Sequence, residues 1–242
     1  MDTQVLAVLL LALAGLLGGL AGPTLIARIP EPLGEEPEPD EADSEPPVPK
    51  ELYRDIAALP RLGWWLALAG LVCGAGIGAR IGWHGALLPW ALLIPLGLVL
   101  AVVDARTRLL PTWLIAPSYG VLVLLVLLAA LCDRSAHQLP GTFFGWLGLG
   151  GFYFLLWLVY PRGMGYGDVR LAGLLGLALG YLGWEQVVVG GYAGVLIGGL
   201  GGVLLKMFKV LRERTVPFGP FMVVGAFVGA GIGEQLMSSL GY

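Results

Sequence analysis

The stretch Gly163-Met164-Gly165-Tyr166-Gly167-Asp168-Val169-Arg170-Leu171 lies between two strongly apolar segments of the chain. It places the carboxylate of Asp168 where a membrane helix begins. Gly163, Gly165 and Gly167 precede the acid at alternate positions, and a backbone this bare can lie flat against another backbone. A carboxylate at the mouth of a membrane helix costs several kcal/mol unless water or another group stabilises it. We therefore expect Asp168 to have a partner elsewhere in the chain.

The composition favours a membrane protein. Of the 242 residues, 57% are hydrophobic and only 13% are charged, and a soluble domain would expose much of this apolar surface as large patches. Apolar runs of roughly 20 residues, the length that spans the hydrocarbon core, recur along nearly the whole chain. Because the runs are continuous, they predict an all-α polytopic fold and disfavour an outer-membrane barrel. No basic stripe interleaved with aromatic residues indicates nucleic-acid binding.

Eight apolar runs predict about eight transmembrane helices. In the second and seventh runs, glycines at small-xxx-small spacings predict that helix backbones approach closely. The runs cover Val5–Ala27, Leu62–Ile81, Leu87–Val103, Trp113–Leu131, Gly141–Tyr160, Val169–Gly183, Val187–Met207 and Phe218–Leu236.

The chain divides into three parts. Residues 1–28 hold the first helix, which we interpret as a transmembrane span because no Lys or Arg precedes it, unlike in a secretory signal. Residues 29–60 are rich in Glu, Asp and Pro, which predicts a disordered acidic cytoplasmic loop followed by a short interfacial helix within Glu51–Leu59. Residues 61–242 form a core of seven helices.

The distribution of Lys and Arg predicts the orientation. With the N-terminus outside, twelve of these residues fall on the cytoplasmic side and only Arg80 and Arg134 fall on the outer side. The same bias supports an even number of spans.

This topology brings one other acid to the level of Asp168. Asp104 closes the third apolar run at the cytoplasmic face, where Asp168 opens the sixth. The other acids of the core fall in outer turns, near the outer end of the last span, or in a basic inner turn: Asp133 and Glu185, Glu234, and Glu213. Asp104 and Asp168 are therefore the predicted pair.

Two carboxylates in one enclosed site cannot both ionise cheaply, so they share a proton and titrate as a unit. One acid can then take a proton from water while the other polarises a peptide carbonyl, as in aspartic proteases. Two other interpretations use the same acids. They could be juxtamembrane salt-bridge partners of nearby Arg residues, or they could belong to a transporter, although transporters place acids in mid-span.

Three motifs resemble those of one family. Gly165-Tyr166-Gly167-Asp168 fits a GxGD motif that Arg170 and Leu171 continue, Asp104 precedes Pro111 by seven residues, and Val216-Pro217-Phe218-Gly219-Pro220-Phe221 opens the last run. In this order they are similar to motifs of the prepilin peptidases, or type IV leader peptidases. The resemblance covers roughly residues 86–229. Presenilin-type proteases share GxGD but carry a tyrosine before the first acid, where this chain has Val103.

The resemblance implies that Asp104 and Asp168 are a catalytic aspartic dyad that needs no metal. It implies cleavage of type IV prepilin or pseudopilin precursors, of pilus or type II secretion systems, at the cytoplasmic side of the inner membrane. The cut would follow a glycine and remove a short, positively charged leader ahead of the pilin's apolar helix, which would lie in the lipid bilayer. Substrate-binding or loop-shaping roles are expected for Gly163, Gly165, Gly167, Arg170, Pro111, Pro217 and Gly219.

The N-terminal part departs from the long form of this family. That form has a GSFLNxxxxRLP segment and a cytoplasmic domain with two CxxC pairs, and it also methylates the new pilin N-terminus with S-adenosylmethionine. Here Arg28-Ile29-Pro30 keeps only the end of that segment, and the acidic loop stands in place of the cysteine domain. We therefore expect no methyltransferase activity and no use of S-adenosylmethionine. His84 and His137 are expected in outer turns, away from the acids. The alternative functions are a GxGD intramembrane protease with other substrates, and a non-enzymatic transporter or scaffold.

Overall fold

The structure is a computed structural model that describes residues 2–31, 51–161, 164–207 and 217–241. Most of the predicted disordered loop, residues 32–50, lies outside the described residues, and so does Gly163.

The described residues form helices joined by short connections, which confirms the all-α fold class. The short helix α2 lies within the segment Glu51–Leu59. The helices are α1 (Thr3–Ile26), α2 (Tyr53–Ala57), α3 (Leu62–Ile81), α4 (Leu87–Thr107), α5 (Thr112–Cys132), α6 (Gln138–Val159), α7 (Tyr166–Leu182), α8 (Trp184–Met207) and α9 (Gly219–Ser239).

Six of these helices, α1, α3, α4, α5, α6 and α9, are long and apolar enough to cross a membrane. The chain is therefore a multi-pass membrane protein. Helices α7 and α8 coincide with the sixth and seventh apolar runs. A total of eight spans stays a prediction.

Glycine allows several helix pairs to pack with their backbones in contact. A Cβ atom at Gly15 of α1 would overlap the carbonyl of Gly70 on α3, and one at Gly145 of α6 would overlap the carbonyl of Gly176 on α7. Helices α8 and α9 meet in the same way where Gly225 approaches Gly194. The bundle is thus built largely from three close pairs, α1 with α3, α6 with α7, and α8 with α9.

Helices α4 and α7 occupy the interior of the bundle. Almost every residue of α7 from Asp168 to Tyr181 is buried, and α4 packs against α1, α3, α5 and α9. The two helices contact each other only over a short stretch. Groups from other elements therefore have to fix the relative position of their ends.

Two helix boundaries differ from the apolar runs and change where the acids lie. Helix α4 continues past Val103 to Thr107, and α7 begins at Tyr166 rather than at Val169. Hydropathy marks only the apolar part of a helix, whereas polar residues fill the end turns. Asp104 thus lies in the last turns of α4, and Asp168 lies in the first turn of α7.

Candidate functional site

Asp104 is enclosed at the end of α4. Its side chain is only 4% exposed, and its Oδ2 accepts a hydrogen bond of 2.8 Å from the backbone N–H of Gly219. Gly219 is the first residue of α9, so the carboxylate lies at the N-terminus of that helix. Backbone N–H groups and the helix dipole favour an anionic group at this position. The charge of Arg108, at the end of α4, also acts on this carboxylate.

Asp168 is held in the first turn of its own helix. Its Oδ2 accepts a hydrogen bond of 3.2 Å from the N–H of Gly165, and its own N–H donates to the Gly165 carbonyl at 3.0 Å. Asp168 is 7% exposed, and its Oδ1 is buried without a hydrogen-bond partner among the described residues. A buried carboxylate oxygen without a donor is uncommon in native proteins. It is therefore an acceptor that a bound group could use.

The two acids belong to one site. Their carboxylates are close enough for their charges to interact. The loop after Asp104 also touches the turn before Asp168, because a Cβ at Gly167 would lie only 2.7 Å from the Cβ of Leu110. The predicted juxtaposition is thus present in the structure. Two enclosed carboxylates in one site can share a proton and act as an acid and a base.

Gly219 must be glycine for α9 to reach Asp104. A Cβ at this position would lie 2.8 Å from Asp104 Oδ2 and 3.1 Å from its Cγ. Buried Pro217 precedes the helix, and Pro220 occupies its first turn, where no N–H is needed. Gly219 therefore forms the wall of the site beside Asp104, and Pro217 lies two positions before it in the chain.

Gly165 and Gly167 lie in the turn before Asp168 and differ in how much space surrounds them. A Cβ at Gly165 would be in ordinary contact with Asp168 Oδ2, at 3.6 Å. At Gly167 the backbone is pressed against Leu110, so the chain itself fills the space that the missing side chain leaves. Gly167 thus shapes the site through close packing.

Arg170 points away from Asp168, because residues two apart on a helix lie on different faces. Its guanidinium donates to the hydroxyl of Thr112 and lies 4.7 Å from the centre of the Tyr166 ring. Its backbone carbonyl accepts a hydrogen bond of 2.7 Å from Tyr119. Arg170 therefore ties the start of α7 to α5, a helix that begins directly after the predicted site residue Pro111.

A polar network supports the end of α4 from the N-terminal side. The carboxylate of Glu31 accepts hydrogen bonds from the N–H groups of Tyr53 and Arg54, at 2.9 and 3.0 Å, and so caps α2. The phenol of Tyr53 interacts with Thr107, whose hydroxyl donates to the carbonyl of Val103 at 2.8 Å. Burial raises the pKa of Tyr53, and the charge of Glu31 raises it further, so the phenol stays protonated. The residues that flank the acidic stretch thereby contact the helix that carries Asp104.

The histidines lie at the other end of the bundle. The Nε2 atom of His84 is 3.4 Å from Asp133 Oδ2, and His137 precedes α6. Asp133 also accepts hydrogen bonds from the N–H of Gly85 at 2.8 Å and from the hydroxyl of Tyr181 at 2.9 Å. These contacts join the connections before α4 and after α5 to the end of α7. Within the described ranges, no group of three or more His, Cys, Asp and Glu side chains could hold a metal ion.

Comparison with known proteins agrees with this arrangement. The model of the type IV leader peptidase family matches residues 91–209, a range that contains both acids. The chain is thus similar to this family over about half of its length.

Two relatives illustrate the similarity. The chain is 31% identical over 190 residues to the prepilin leader peptidase/N-methyltransferase of Stutzerimonas stutzeri, a match that covers 71% of this chain and 60% of the relative. It is 29% identical to the protein of the same name from Pseudomonas aeruginosa, with 87% of this chain and 81% of the relative covered. No solved structure matches the chain. The chain thus spans less than two thirds of the length of its Stutzerimonas relative.

One contact of the site was not predicted from the sequence. The N–H of Gly219 reaches Asp104 across 115 positions of the chain, and no local pattern predicts that contact.

Proposed function

We propose that this protein is a membrane aspartic endopeptidase that removes the leader peptide from type IV prepilin or pseudopilin precursors. The observation that carries the proposal is the pairing of Asp104 and Asp168, two buried carboxylates that each accept one glycine N–H and interact with each other. The match to the type IV leader peptidase family and the similarity to two prepilin leader peptidase/N-methyltransferases favour this substrate class.

The reaction follows from the proton that the two acids share. The ionised acid takes a proton from a water molecule, whose oxygen attacks the carbonyl carbon of the scissile peptide, while the other acid donates its proton to the carbonyl oxygen. Collapse of the tetrahedral intermediate breaks the C–N bond, and the leaving amine takes up a proton. Asp168 Oδ1, which has no partner among the described residues, is the acceptor available to the attacking water.

We propose that this reaction takes place at the cytoplasmic face of the inner membrane, because the distribution of Lys and Arg favours that orientation of the chain. Twelve Lys and Arg residues fall on the side of the two acids when the N-terminus is outside, against two on the other side. A leader held in the cytoplasm could then reach the acids, while the apolar helix of the precursor lies in the bilayer. Cleavage is expected to follow a glycine.

Peptide cleavage is the activity that the two acids support. Methyl transfer appears in the names of the relatives, whereas this chain has an acidic stretch in place of the domain with two CxxC pairs that the long form carries. We accordingly propose a peptidase that does not use S-adenosylmethionine.

Co-expression with a candidate prepilin tests this function. Membranes would contain the precursor with the wild-type protein or with Asp168→Ala, and a gel shift and a mass spectrum would report leader removal and any methyl group. We expect cleavage after a glycine by the wild type, no cleavage by the variant and no added methyl mass. Failure of the wild type to cleave any of several prepilins and pseudopilins would contradict the proposal. A methyl group added only in the presence of this protein would contradict the restriction to peptidase activity.

A further inference from the structure

A polar cavity lies at the end of the bundle opposite the two acids. It encloses about 260 Å³ between the ends of α3, α7 and α9 and the starts of α6 and α8. A water molecule takes about 30 Å³ in the liquid, so the cavity has room for a ligand of several non-hydrogen atoms. The polar residues that line it include Arg80, His84, Gln138, Tyr181, Gln186 and Glu234.

Two opposite charges line the cavity without pairing with each other. Arg80 lies in the last turn of α3, and Glu234 lies in α9. The ion pairs found among the described residues involve neither of them. His84, by contrast, is engaged, because its Nε2 is 3.4 Å from Asp133 Oδ2 and its Nδ1 accepts a hydrogen bond of 3.3 Å from the N–H of Ala86. Arg80 and Glu234 are thus the charges that a ligand could meet.

Two side-chain amides add further polar groups to the same cavity. Gln186 is only 8% exposed, and its Oε1 is buried without a hydrogen-bond partner in the part of the chain that the structure describes. The Oε1 of Gln138 is buried without a partner in the same way. Enclosed amides usually have partners, and an amide can accept from an N–H group or donate to an oxygen. The cavity therefore suits a ligand that has both donors and acceptors.

The cavity lies at the level of the lipid headgroups. Helices α3 and α9, which hold its two charges, are both long and apolar enough to cross a membrane, and the ends of such helices lie near the membrane surface. Trp83 directly precedes His84, and Trp184 begins α8 two residues before Gln186; these tryptophans are 58% and 66% exposed. Exposed tryptophans are typical of the membrane–water interface. The headgroup of a surrounding lipid is therefore within reach of the cavity.

We propose that this cavity binds a zwitterion that carries a phosphate and a primary ammonium group, which is the chemistry of the phosphatidylethanolamine headgroup. The guanidinium of Arg80 donates to the phosphate, the carboxylate of Glu234 accepts from the ammonium, and the amides of Gln138 and Gln186 take up the remaining hydrogen bonds. The inference goes beyond the peptidase function and does not depend on it.

Three lipids distinguish the two charged contacts. Phosphatidylethanolamine has both groups, phosphatidylcholine has a quaternary ammonium without an N–H, and phosphatidylglycerol has a phosphate but no cation. A hydrogen bond to a charged group corresponds to about a tenfold or larger change in affinity. Native mass spectrometry of the full-length protein in detergent micelles, with equal amounts of the three lipids, should therefore show phosphatidylethanolamine bound in about tenfold excess over each of the others.

Two substitutions remove one charge each and keep a polar side chain. Arg80→Gln and Glu234→Gln should each lower the affinity for phosphatidylethanolamine by about tenfold. Arg134→Gln is the matched control, because Arg134 is exposed at the same end of the bundle and is not among the residues that line the cavity. It should bind the lipid as the wild type does. Equal unfolding temperatures of the lipid-free variants would show that a loss of binding is not a loss of folded protein.

Glycerophosphoethanolamine, the same headgroup without acyl chains, distinguishes a lipid from a soluble ligand. Selective binding of phosphatidylethanolamine that depends on both charges supports the site and assigns it to a lipid. Binding of glycerophosphoethanolamine alone, with the same dependence, supports the site and assigns it to a soluble zwitterion. Equal binding of the three lipids without binding of glycerophosphoethanolamine, unchanged affinity in Arg80→Gln or in Glu234→Gln, or binding of neither probe would overturn the proposal.

Discussion

The aspartates at the two ends of the bundle differ in how many hydrogen bonds their carboxylates accept. At one end, Asp133 accepts hydrogen bonds from Gly85 and Tyr181 and lies 3.4 Å from the ring nitrogen of His84. At the other end, Asp104 accepts a backbone hydrogen bond from Gly219 and Asp168 accepts one from Gly165, and Asp168 Oδ1 accepts none from the described residues.

This difference separates a structural acid from a reactive one. A carboxylate whose oxygens are occupied by donors holds loops together and has little capacity left for a substrate. A pair of enclosed carboxylates with spare acceptor capacity is held at some cost in stability, and such unsatisfied groups are typical of sites that bind or react. The comparison predicts that the two ends respond oppositely to the same kind of substitution.

The largest expected effect is on the rate of cleavage when either paired acid loses its charge. Asp104→Asn and Asp168→Asn keep the shape of the side chain but remove the acid–base function, which contributes roughly 10²–10⁴-fold to a rate. Both variants should remain folded, because they also remove a buried charge. Single-turnover cleavage of a prepilin, together with thermal unfolding, checks this. Wild-type rates in either variant would contradict the pairing.

A smaller loss is expected when the wall beside Asp104 is changed. Gly219→Ala places a Cβ 2.8 Å from Asp104 Oδ2, so the acid or the start of α9 has to move. A displaced catalytic group costs about 10²-fold in rate. We expect kcat to fall by about that factor, as measured with the same cleavage assay. Normal cleavage by Gly219→Ala would show that this contact does not position the acid.

The two glycines before Asp168 provide a matched pair. Gly167→Ala would bring a Cβ within 2.7 Å of Leu110, whereas at Gly165 the new Cβ would be 3.6 Å from Asp168 Oδ2. We expect a clear loss of cleavage for Gly167→Ala and a nearly wild-type rate for Gly165→Ala. The reverse order of rates would contradict the packing role of Gly167.

The smallest effect on cleavage is expected at the opposite end of the bundle. Asp133→Asn weakens the contacts with Gly85 and Tyr181, and an unsatisfied buried partner costs about 1–3 kcal/mol of stability. Thermal or denaturant unfolding should report this loss, while the cleavage rate per folded molecule stays that of the wild type. If Asp133→Asn lowered kcat without lowering stability, the assignment of a purely structural role to Asp133 would be wrong.

Much of the fold and part of the site could be predicted from the sequence. Apolar runs predicted the long helices, and glycine spacing predicted close packing, since Gly70, Gly74 and Gly78 of α3 lie against the backbone of α1. The equal depth of Asp104 and Asp168 predicted that they meet. All of these inferences depend on local patterns or on chain topology.

Contacts between distant parts of the chain could not be predicted in this way. The hydrogen bond from Gly219 to Asp104 depends on where α9 packs, and the contact of Leu110 with Gly167 depends on how two loops meet. Arg170 lies two residues after Asp168 in the sequence, but helical geometry turns its side chain toward Thr112. Proximity along the chain was therefore a poor guide to which charges interact.

The most direct test compares Asp168→Asn with Asp133→Asn in the same membranes, with one prepilin and equal amounts of folded protein. The two substitutions are chemically identical and differ only in the end of the bundle that they change. Leader removal by Asp133→Asn at the wild-type rate, with none by Asp168→Asn, is the result that the paired-acid site predicts. Cleavage by Asp168→Asn, or its selective loss in Asp133→Asn, would contradict the assignment of the active site to Asp104 and Asp168.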